Sequence, residues 1–579
     1  MMNSLILRVG GEAGWGIATA SNLFCQLALK LGYKIFSSKD YASQIKGGHN
    51  YHTVRISSDN VGADLDHIDI LLALDKTTFE KHESKVNADG IIVYSDQIEI
   101  ENKKEGINYV PLNITEIQEQ VGNKNVLNAI FFGAAIKCLG LSEENLEVTI
   151  KEYFQKKPEL GEILLKAAKL TYQSVNEIAD YRLEIIDKKE NLTILSGNDA
   201  ITKGALKAGL NFHAQYPMTP VSAILHNLAK EAATNENLTV IQPEDEIAAI
   251  NMAIGASYAG SRAMTATSGG GFALMVESLG LAAMAEVPLV VIEGQRPGPA
   301  TGLPTKTEQG DLKFVLNSGT GDFPHVVIAP GTVEECYTET KRAFYLAEKY
   351  QLPVIVLVDK NMAESFKTVN LEAEEEKFSF DYDKRINIVN EVQSSELNSD
   401  GLYKRYTPGN MNTTLPGTEN GIYTCAGDEH DEVGEITEDP EIRKAMMERR
   451  MVKLKLVAKE LSEQEPLKLI GPENADLTVV SWGSNYGAIC EAIDKLNAKG
   501  KKVNFVNIKF MLPFQTEEVK EILKKSKKLV LIENNYSAQL GSLIREKTGI
   551  EISVKDRILR YDGYTFLVDD IYEELLKRC

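Results

Sequence analysis

Acidic residues stand at the head of a predicted helix, at Glu244, Asp245 and Glu246. The helix that follows, 247–259, consists mainly of small and aliphatic residues, so we expect it to pack closely against a neighbouring element. A carboxylate held in such surroundings is suited to acid–base chemistry. The simpler interpretation is that these acids complement the positive end of the helix dipole.

Two further candidates lie in segments next to predicted secondary structure. Arg296 follows the predicted strand 289–293 at its carboxyl end, where open α/β sheets gather their ligands. A guanidinium there can hold a carboxylate by two parallel hydrogen bonds. Thr219 belongs to a YPMTP turn at 216–220. The alternatives are an arginine in an interdomain salt bridge and a threonine that starts a helix.

Strands that alternate with helices must position these residues, and they predict an α/β fold with three domains and mainly parallel sheets. A long segment rich in charge, Gly, Pro and Asn separates the second and third blocks. The predicted strands are 5–9, 53–56, 68–73 and 90–94 in the first block, with a helix at 17–31, then 192–195, 262–267, 289–293 and 353–358 in the second, and 477–481, 502–508 and 528–533 in the third.

Three motifs occur in a fixed order between residues 216 and 360. They are YPMTP at 216–220, TSGGG at 267–271 and QRPGPATGLPT at 295–305. In this series the chain resembles the alpha subunit of the 2-oxoacid:ferredoxin oxidoreductases, with a fused N-terminal gamma domain as in the 2-oxoglutarate type. The resemblance divides the chain into a gamma-type domain at 1–185, a thiamine diphosphate pyrimidine-binding domain at 190–370, an irregular connecting segment at 371–465 and a transketolase C-terminal-like domain at 466–579.

The resemblance implies oxidative decarboxylation of a 2-oxoacid, which we expect to be 2-oxoglutarate, to its acyl-CoA, with the electrons passed to ferredoxin. In this family an acidic residue hydrogen-bonds nitrogen N1′ of thiamine diphosphate and favours the imino tautomer that removes the C2 proton. Counting from that acid to the glycine that ends its helix matches Glu246 to Gly260, with Gly255 in step. Glu244 would put both glycines out of register.

The resemblance also implies the substrate and cofactor contacts. Thr219 would hydrogen-bond the keto-acid end of the substrate, and Arg296 would bind its carboxylate. Thr301 and Thr305 would shape the same pocket, while the cofactor would be contacted by Glu246, Tyr216, Pro217 and Thr219. The SQIKGGH loop at 43–49 resembles the Arg/Lys-Gly-Gly loop of the family, so Lys46 is a candidate for a coenzyme A phosphate. An ordinary exposed loop lysine is the alternative.

The chain lacks the Gly-Asp-Gly motif that holds magnesium and the diphosphate in thiamine enzymes. Its six cysteines include no Cys-x-x-Cys pair, as an iron–sulfur cluster would require. The resemblance therefore implies a beta subunit that supplies Mg²⁺ and a [4Fe–4S] cluster and contacts ferredoxin or flavodoxin. The expected assembly is an (alpha-beta)₂ heterotetramer in which each heterodimer shares one thiamine diphosphate.

Three positions depart from the family pattern. Trp15 stands where Gln or Glu is usual, Ala300 replaces a serine, and Thr320 replaces a common histidine, so no role tied to that histidine carries over. The remaining histidines show no metal-ligand spacing. The N-terminal glycines at 10–16 do not match G-x-G-x-x-G, which favours a structural turn over a nucleotide site.

The 579-residue chain has a net charge of −20, which argues against nucleic acid or an anionic membrane as a partner. Its apolar runs are shorter than a membrane span, and the first predicted strand leaves no room for a signal peptide. We therefore expect a cytoplasmic protein. Three alternatives stay open: the same reaction on pyruvate or a branched 2-oxoacid, a non-catalytic assembly or coenzyme-A-binding subunit, and a nicotinamide dehydrogenase.

Overall fold

The computed structural model describes residues 4–43, 47–178, 183–186 and 191–579. The chain divides into two compact units, of which the first contains Met1–Ser196, Glu364–Leu371 and Leu567–Glu573. The second contains Gly197–Ala363, Glu372–Phe566 and Glu574–Cys579. Within the described ranges, no helix is both long and apolar enough to cross a membrane.

Strands and helices alternate along most of the described chain. The strands are β1 Ser4–Glu12, β2 Lys34–Asp40, β3 His49–Ser57, β4 Ile68–Ala73, β5 Val86–Ser95, β6 Asn108–Leu112, β7 Thr193–Ser196, β8 Phe212–Ala214, β9 Thr239–Ile241, β10 Ala263–Thr267, β11 Leu289–Gln295, β12 Val326–Ile328, β13 Pro353–Asp359, β14 Phe366–Val369, β15 Leu469–Ile470, β16 Leu477–Ser481, β17 Val503–Asn507, β18 Phe510–Leu512, β19 Leu529–Glu533 and β20 Arg557–Leu559.

The α-helices have the following bounds: α1 Ile17–Lys30, α2 Lys76–His82, α3 Ile114–Val121, α4 Leu127–Cys138, α5 Glu143–Tyr153, α6 Pro158–Ser174, α7 Gly197–Lys207, α8 Ser222–Ala232, α9 Glu246–Tyr258, α10 Gly269–Met284, α11 Leu312–Leu316, α12 Val333–Tyr350, α13 Lys360–Glu364, α14 Leu371–Lys377, α15 Pro440–Gln464, α16 Tyr486–Ala498, α17 Thr516–Lys525, α18 Gln539–Thr548 and α19 Val568–Leu576.

The first unit is built on an eight-stranded sheet in the order β6-β5-β4-β1-β3-β2-β14-β7. Strands β1, β4, β5 and β6 run parallel, whereas β3, β2, β14 and β7 pair antiparallel. The parallel half includes Ile68–Ala73, whose residues are all buried, as is usual for the central strands of a parallel sheet, and Asp69 is the one charged residue among them. Thr193–Ser196, which was expected to open the second block, instead forms an edge strand of this sheet.

The second unit contains two mainly parallel sheets. The seven-stranded sheet has the order β18-β12-β13-β11-β10-β8-β9, and the five-stranded sheet has the order β15-β17-β16-β19-β20. Only β18 and β15 pair antiparallel with their neighbours in these two sheets. The central strands Leu289–Gln295 and Pro353–Asp359 are buried along their whole length. The predicted α/β fold class with mainly parallel sheets is confirmed.

The connecting segment expected to be irregular contains a 25-residue helix, α15. It begins with Pro440 in the first turn, and the Asp439 side chain accepts hydrogen bonds from the N–H groups of Glu441 and Ile442. Its buried face carries charge, since Arg449 and Lys453 bind the buried Glu286 with Nη2–Oε2 and Nζ–Oε2 distances of 3.0 and 2.6 Å. An apolar stripe therefore does not reveal this helix in the sequence.

Candidate active site

Glu246 is the first residue of α9, and the structure distinguishes it from its acidic neighbours. Asp245 caps the helix, because its Oδ1 accepts a hydrogen bond of 2.8 Å from the N–H of Ala248. The Glu246 side chain is buried, with 4% of the residue exposed, whereas Glu244 is exposed. Of the three acids, Glu246 is therefore the one with a buried carboxylate that is not used to cap the helix.

The surroundings of the Glu246 carboxylate leave one oxygen without a partner. Oε1 is buried and accepts no hydrogen bond from the described residues. On α10, a methyl group on Gly271 would lie 2.1 Å from Thr267 Oγ1 and 2.5 Å from Glu246 Oε1. A glycine is therefore required at 271 to leave room for the carboxylate. Because a buried oxygen without a donor is costly, this geometry favours an external donor at Oε1.

The turn at 216–220 lies between Glu246 and Arg296. Thr267 Oγ1, which stands beside Glu246, is 4.0 Å from Met218 Sδ. On the other side, Arg296 Nη1 donates a hydrogen bond of 3.0 Å to the carbonyl oxygen of Thr219. The sequence places Thr219 and Arg296 in one site through their side chains, whereas this contact uses the Thr219 backbone.

The other residues predicted for the site differ in exposure. Tyr216 is 37% exposed and Pro217 is half-buried. Thr305 is half-buried, but Thr301 is exposed on the loop that follows Arg296. The structure thus groups Glu246, Thr219 and Arg296 around one turn, and it shows no contact of Thr301 with that group within the described residues.

A buried acid beside Arg296 was missed by the sequence reasoning. Glu293 lies on β11, fully buried, and its carboxyl group contacts that of Asp311, which precedes α11. Burial and then the neighbouring Asp311 raise the pKa of Glu293 well above its usual value. Burial also raises the pKa of Asp311 to about 6. The signal available in the sequence was the position of Glu293, a charged residue that directly follows four apolar residues of the same strand.

Three polar residues that follow β19, Asn534, Asn535 and Gln539, position the segment that carries Asp311. Gln309 Oε1 accepts hydrogen bonds of 3.0 Å from Asn485 Nδ2 and from the N–H of Asn534. Asn535 Nδ2 donates to the Gln309 carbonyl at 3.0 Å, and Gln539 Nε2 donates to the Gly310 carbonyl at 2.6 Å. The asparagines therefore fix a loop of this chain, which is a structural role.

The first unit contains the remaining sequence candidates, Lys46 and the glycines at 10–16. Lys46 lies outside the described residues. Gly14 and Gly16 adopt positive φ angles of 94° and 80°, as a tight turn requires, and Trp15 packs against the core of that unit. Within the described residues, no group of three or more His, Cys, Asp or Glu side chains is arranged to hold a metal ion.

Comparison with known proteins gives matches along most of the chain. The thiamine-diphosphate-binding domain of pyruvate flavodoxin/ferredoxin oxidoreductase matches residues 203–449. A pyruvate ferredoxin/flavodoxin oxidoreductase domain matches residues 6–174, and core domain II of pyruvate:ferredoxin oxidoreductase matches residues 475–571.

Similarity to individual proteins extends over nearly full length. The chain is 32% identical to 2-oxoacid:ferredoxin oxidoreductase subunit alpha of Saccharolobus solfataricus, covering 98% of this chain and 96% of that one. It is 28% identical to 2-oxoglutarate oxidoreductase subunit KorA of Mycobacterium tuberculosis, covering 98% and 91% of the two chains. Among solved structures, 2-oxoglutarate:ferredoxin oxidoreductase from Magnetococcus marinus, with 2-oxoglutarate, coenzyme A and succinyl-CoA bound, superimposes with a TM-score of 0.89 at 30% identity over the whole of both chains. Because this similarity extends over the full length of the chain and agrees with the geometry of the site, the chain belongs to the alpha subunits of the 2-oxoacid:ferredoxin oxidoreductases.

Proposed function

We propose that this subunit supports the oxidative decarboxylation of 2-oxoglutarate to succinyl-CoA, with Glu246 at the thiamine diphosphate ring. The observation that carries the proposal is the buried Glu246 Oε1, which no described donor reaches. Gly271 lets the carboxylate take this position, because a methyl group there would lie 2.5 Å from Oε1. The solved structure from Magnetococcus marinus, which contains 2-oxoglutarate and coenzyme A, supports this choice of substrate.

The residues of this chain have separate tasks in the proposed reaction. When bound, thiamine diphosphate would supply a nucleophilic carbon for the keto group of the substrate. Glu246 Oε1 is buried, and it would accept a hydrogen bond from the protonated ring nitrogen and hold that proton in place. The neighbouring Thr267 and Gly271 shape the pocket around the carboxylate.

Arg296 is the proposed anchor for the 2-oxoacid carboxylate. One Nη1 hydrogen bond to the Thr219 carbonyl fixes the guanidinium, and its remaining N–H groups can form a two-point contact. The Thr219 hydroxyl would contact the keto-acid end, while Thr301 and Thr305 would complete the pocket and Tyr216 and Pro217 the cofactor side. Lys46 is proposed to contact a coenzyme A phosphate.

A face of α9 and α10 is suited to a partner subunit. Ile247, Met252 and Leu274 are 46, 42 and 50% exposed on these two helices. A methyl group added at Gly255 or Gly270 would meet no atom within 4 Å apart from its own helix backbone and chain neighbours, so another chain can approach closely. Helices that are apolar nearly all round are normally covered. The face lies beside Glu246, where a chain that holds the diphosphate must reach.

We infer that a beta subunit covers this face, because this chain has no Gly-Asp-Gly motif of its own. That subunit would bring Mg²⁺ and the [4Fe–4S] cluster. It would also dock ferredoxin or flavodoxin, since acidic carriers are repelled by a chain with a net charge of −20. The proposed assembly is an (alpha-beta)₂ heterotetramer.

Replacing Leu274 with Glu is expected to weaken association with the beta subunit at least about tenfold, because a charge would be buried in an apolar contact. The measurement is sedimentation of the mixed subunits. Val554→Glu is the matched control, because Val554 is 74% exposed elsewhere in the second unit. Equal association of both variants and the wild type would show that the α9–α10 face is free in the assembly.

Replacing Arg296 with Lys keeps the positive charge but removes the planar fork, so KM for the 2-oxoacid should rise about tenfold while thiamine binding is unchanged. Steady-state kinetics on the assembled enzyme, with cofactor binding measured in parallel, gives both quantities. An unchanged KM would assign Arg296 a structural role. A panel of 2-oxoglutarate, pyruvate and 2-oxoisovalerate tests the substrate separately, and a strong preference for pyruvate would refute 2-oxoglutarate.

A further inference from the structure

Glu293 occupies an unusual position for an acid. In the seven-stranded sheet it pairs in register with Thr267 of β10 and Leu357 of β13, and none of its surface is exposed. No donor in the described part of the chain reaches either of its carboxyl oxygens. Its polar contact is the carboxyl group of Asp311. Two acids in contact inside a protein cannot both ionise readily, so they share one proton.

The two acids of the pair differ in their surroundings. Asp311 lies against the start of α10, because a methyl group on Gly269 would be 2.5 Å from Asp311 Oδ2. The positive end of that 16-residue helix favours a negative charge on Asp311. Glu293 has no such donor, so we assign the shared proton to Glu293.

Arg296 stands beside this pair but does not bind it. Both acids are close enough to influence the guanidinium electrostatically. Yet across the described residues, Arg296 has no ion pair, and its hydrogen bond goes to the Thr219 carbonyl. With Glu293 neutral, the pair carries one negative charge instead of two. The positive charge of Arg296 is then not outweighed by the two acids beside it.

We propose that Glu293 and Asp311 act as a proton-sharing pair that keeps Arg296 available and takes up a proton when the 2-oxoacid carboxylate binds. This inference rests on the proposed role of Arg296. The charged groups that face the pair are Arg296 and, from the preceding loop, Glu308. An anion arriving at Arg296 makes the negative charge on Asp311 less favourable, and protonation relieves it.

The direction of the pH effect follows from this linkage. Burial raises the pKa of Asp311 to about 6, and burial followed by Asp311 raises the pKa of Glu308 to about 7. A bound anion raises the pKa of such an acid further, so substrate binds more tightly where the acid is protonated and more weakly as pH rises. A shift of one pKa unit on Asp311 gives an increase in KM of about fivefold between about pH 6 and about pH 8.

The test compares KM for 2-oxoglutarate across this pH range in the assembled enzyme. Asp311→Asn should flatten the profile and lower KM at the alkaline end. Glu293→Gln should keep the wild-type profile, because an amide is neutral like the protonated acid and can donate to Asp311. Independently of any variant, calorimetric titration with glutarate in two buffers of different ionisation enthalpy should show proton uptake by the wild-type enzyme.

Several outcomes would overturn the pair. If KM of Asp311→Asn depends on pH as in the wild type, the titrating group is not Asp311. If that dependence then disappears in Glu308→Gln, the titrating group is Glu308. A strong rise of KM in Glu293→Gln would show that Glu293 is ionised in the free enzyme. Glutarate binding without proton uptake would exclude the linkage directly. If Arg296→Lys leaves KM unchanged, the proposed function of Arg296 fails instead, so the two failures are distinguishable.

Discussion

Replacing Glu246 with Gln is expected to lower turnover of the assembled enzyme at least about 100-fold, the usual effect of losing an acid–base group. The amide keeps the size of the side chain, so α9 should still form and Asp245 should still cap it. It cannot, however, hold a proton at the ring nitrogen as a carboxylate does. We therefore expect normal assembly and normal thiamine binding, with the loss confined to the chemical step.

Glu244→Gln is the matched control, because Glu244 stands two positions away and is exposed. Losing a surface acid near a helix start costs at most about 1 kcal/mol of stability. The activity of Glu244→Gln should therefore stay close to that of the wild type. The measurements are steady-state turnover and exchange of the C2 proton of the cofactor for deuterium. If Glu246→Gln exchanges that proton as fast as the wild type, Glu246 is not the acid at the ring.

Local pattern was enough to predict much of the second unit. Strand Leu477–Ser481 was predicted with the bounds observed, and strand Pro353–Asp359 to within one residue. These strands are buried on both faces, so their apolar runs are continuous and end sharply. The head of α9 was equally readable, because a capping acid and a short run of small residues mark it.

The pairing of strands that are far apart in the sequence could not be predicted in the same way. Strand β14 pairs antiparallel with β2 and β7, at sequence distances that no local pattern encodes. Helix α15 escaped prediction for a different reason, since its buried face includes Arg449 and Lys453, which form ion pairs with Glu286. A charged face looks solvated in a sequence, and only the fold shows which charges are buried together.

The site was predicted in part. The sequence named Thr219 and Arg296, and the structure joins them through the Thr219 carbonyl. The contact between Glu293 and Asp311 was not predicted, because the residues are 18 positions apart and meet only when β11 is inserted in the sheet. Gly271 was noted only as part of a motif, although its missing side chain is what admits the Glu246 carboxylate.

That steric requirement makes Gly271→Ala the second large effect that we expect. The added methyl group would lie 2.1 Å from Thr267 Oγ1 and 2.5 Å from Glu246 Oε1, closer than real contacts permit. The Glu246 carboxylate must then move from its position, and turnover should fall by about 100-fold, as for the loss of the acid itself. Steady-state kinetics and thiamine binding on the assembled enzyme provide the measurement.

Gly280→Ala separates this steric effect from the general effect of a helix substitution. Gly280 lies on the same helix, α10, and no atom is within 4 Å of the position that its methyl group would take. Replacing a helical glycine by alanine at such an open site favours the helix by about 1 kcal/mol, so Gly280→Ala should keep wild-type turnover, with its association with the beta subunit measured in parallel. Wild-type turnover in Gly271→Ala would mean that the Glu246 carboxylate tolerates displacement, and the assignment of its oxygen to the cofactor ring would then be untenable.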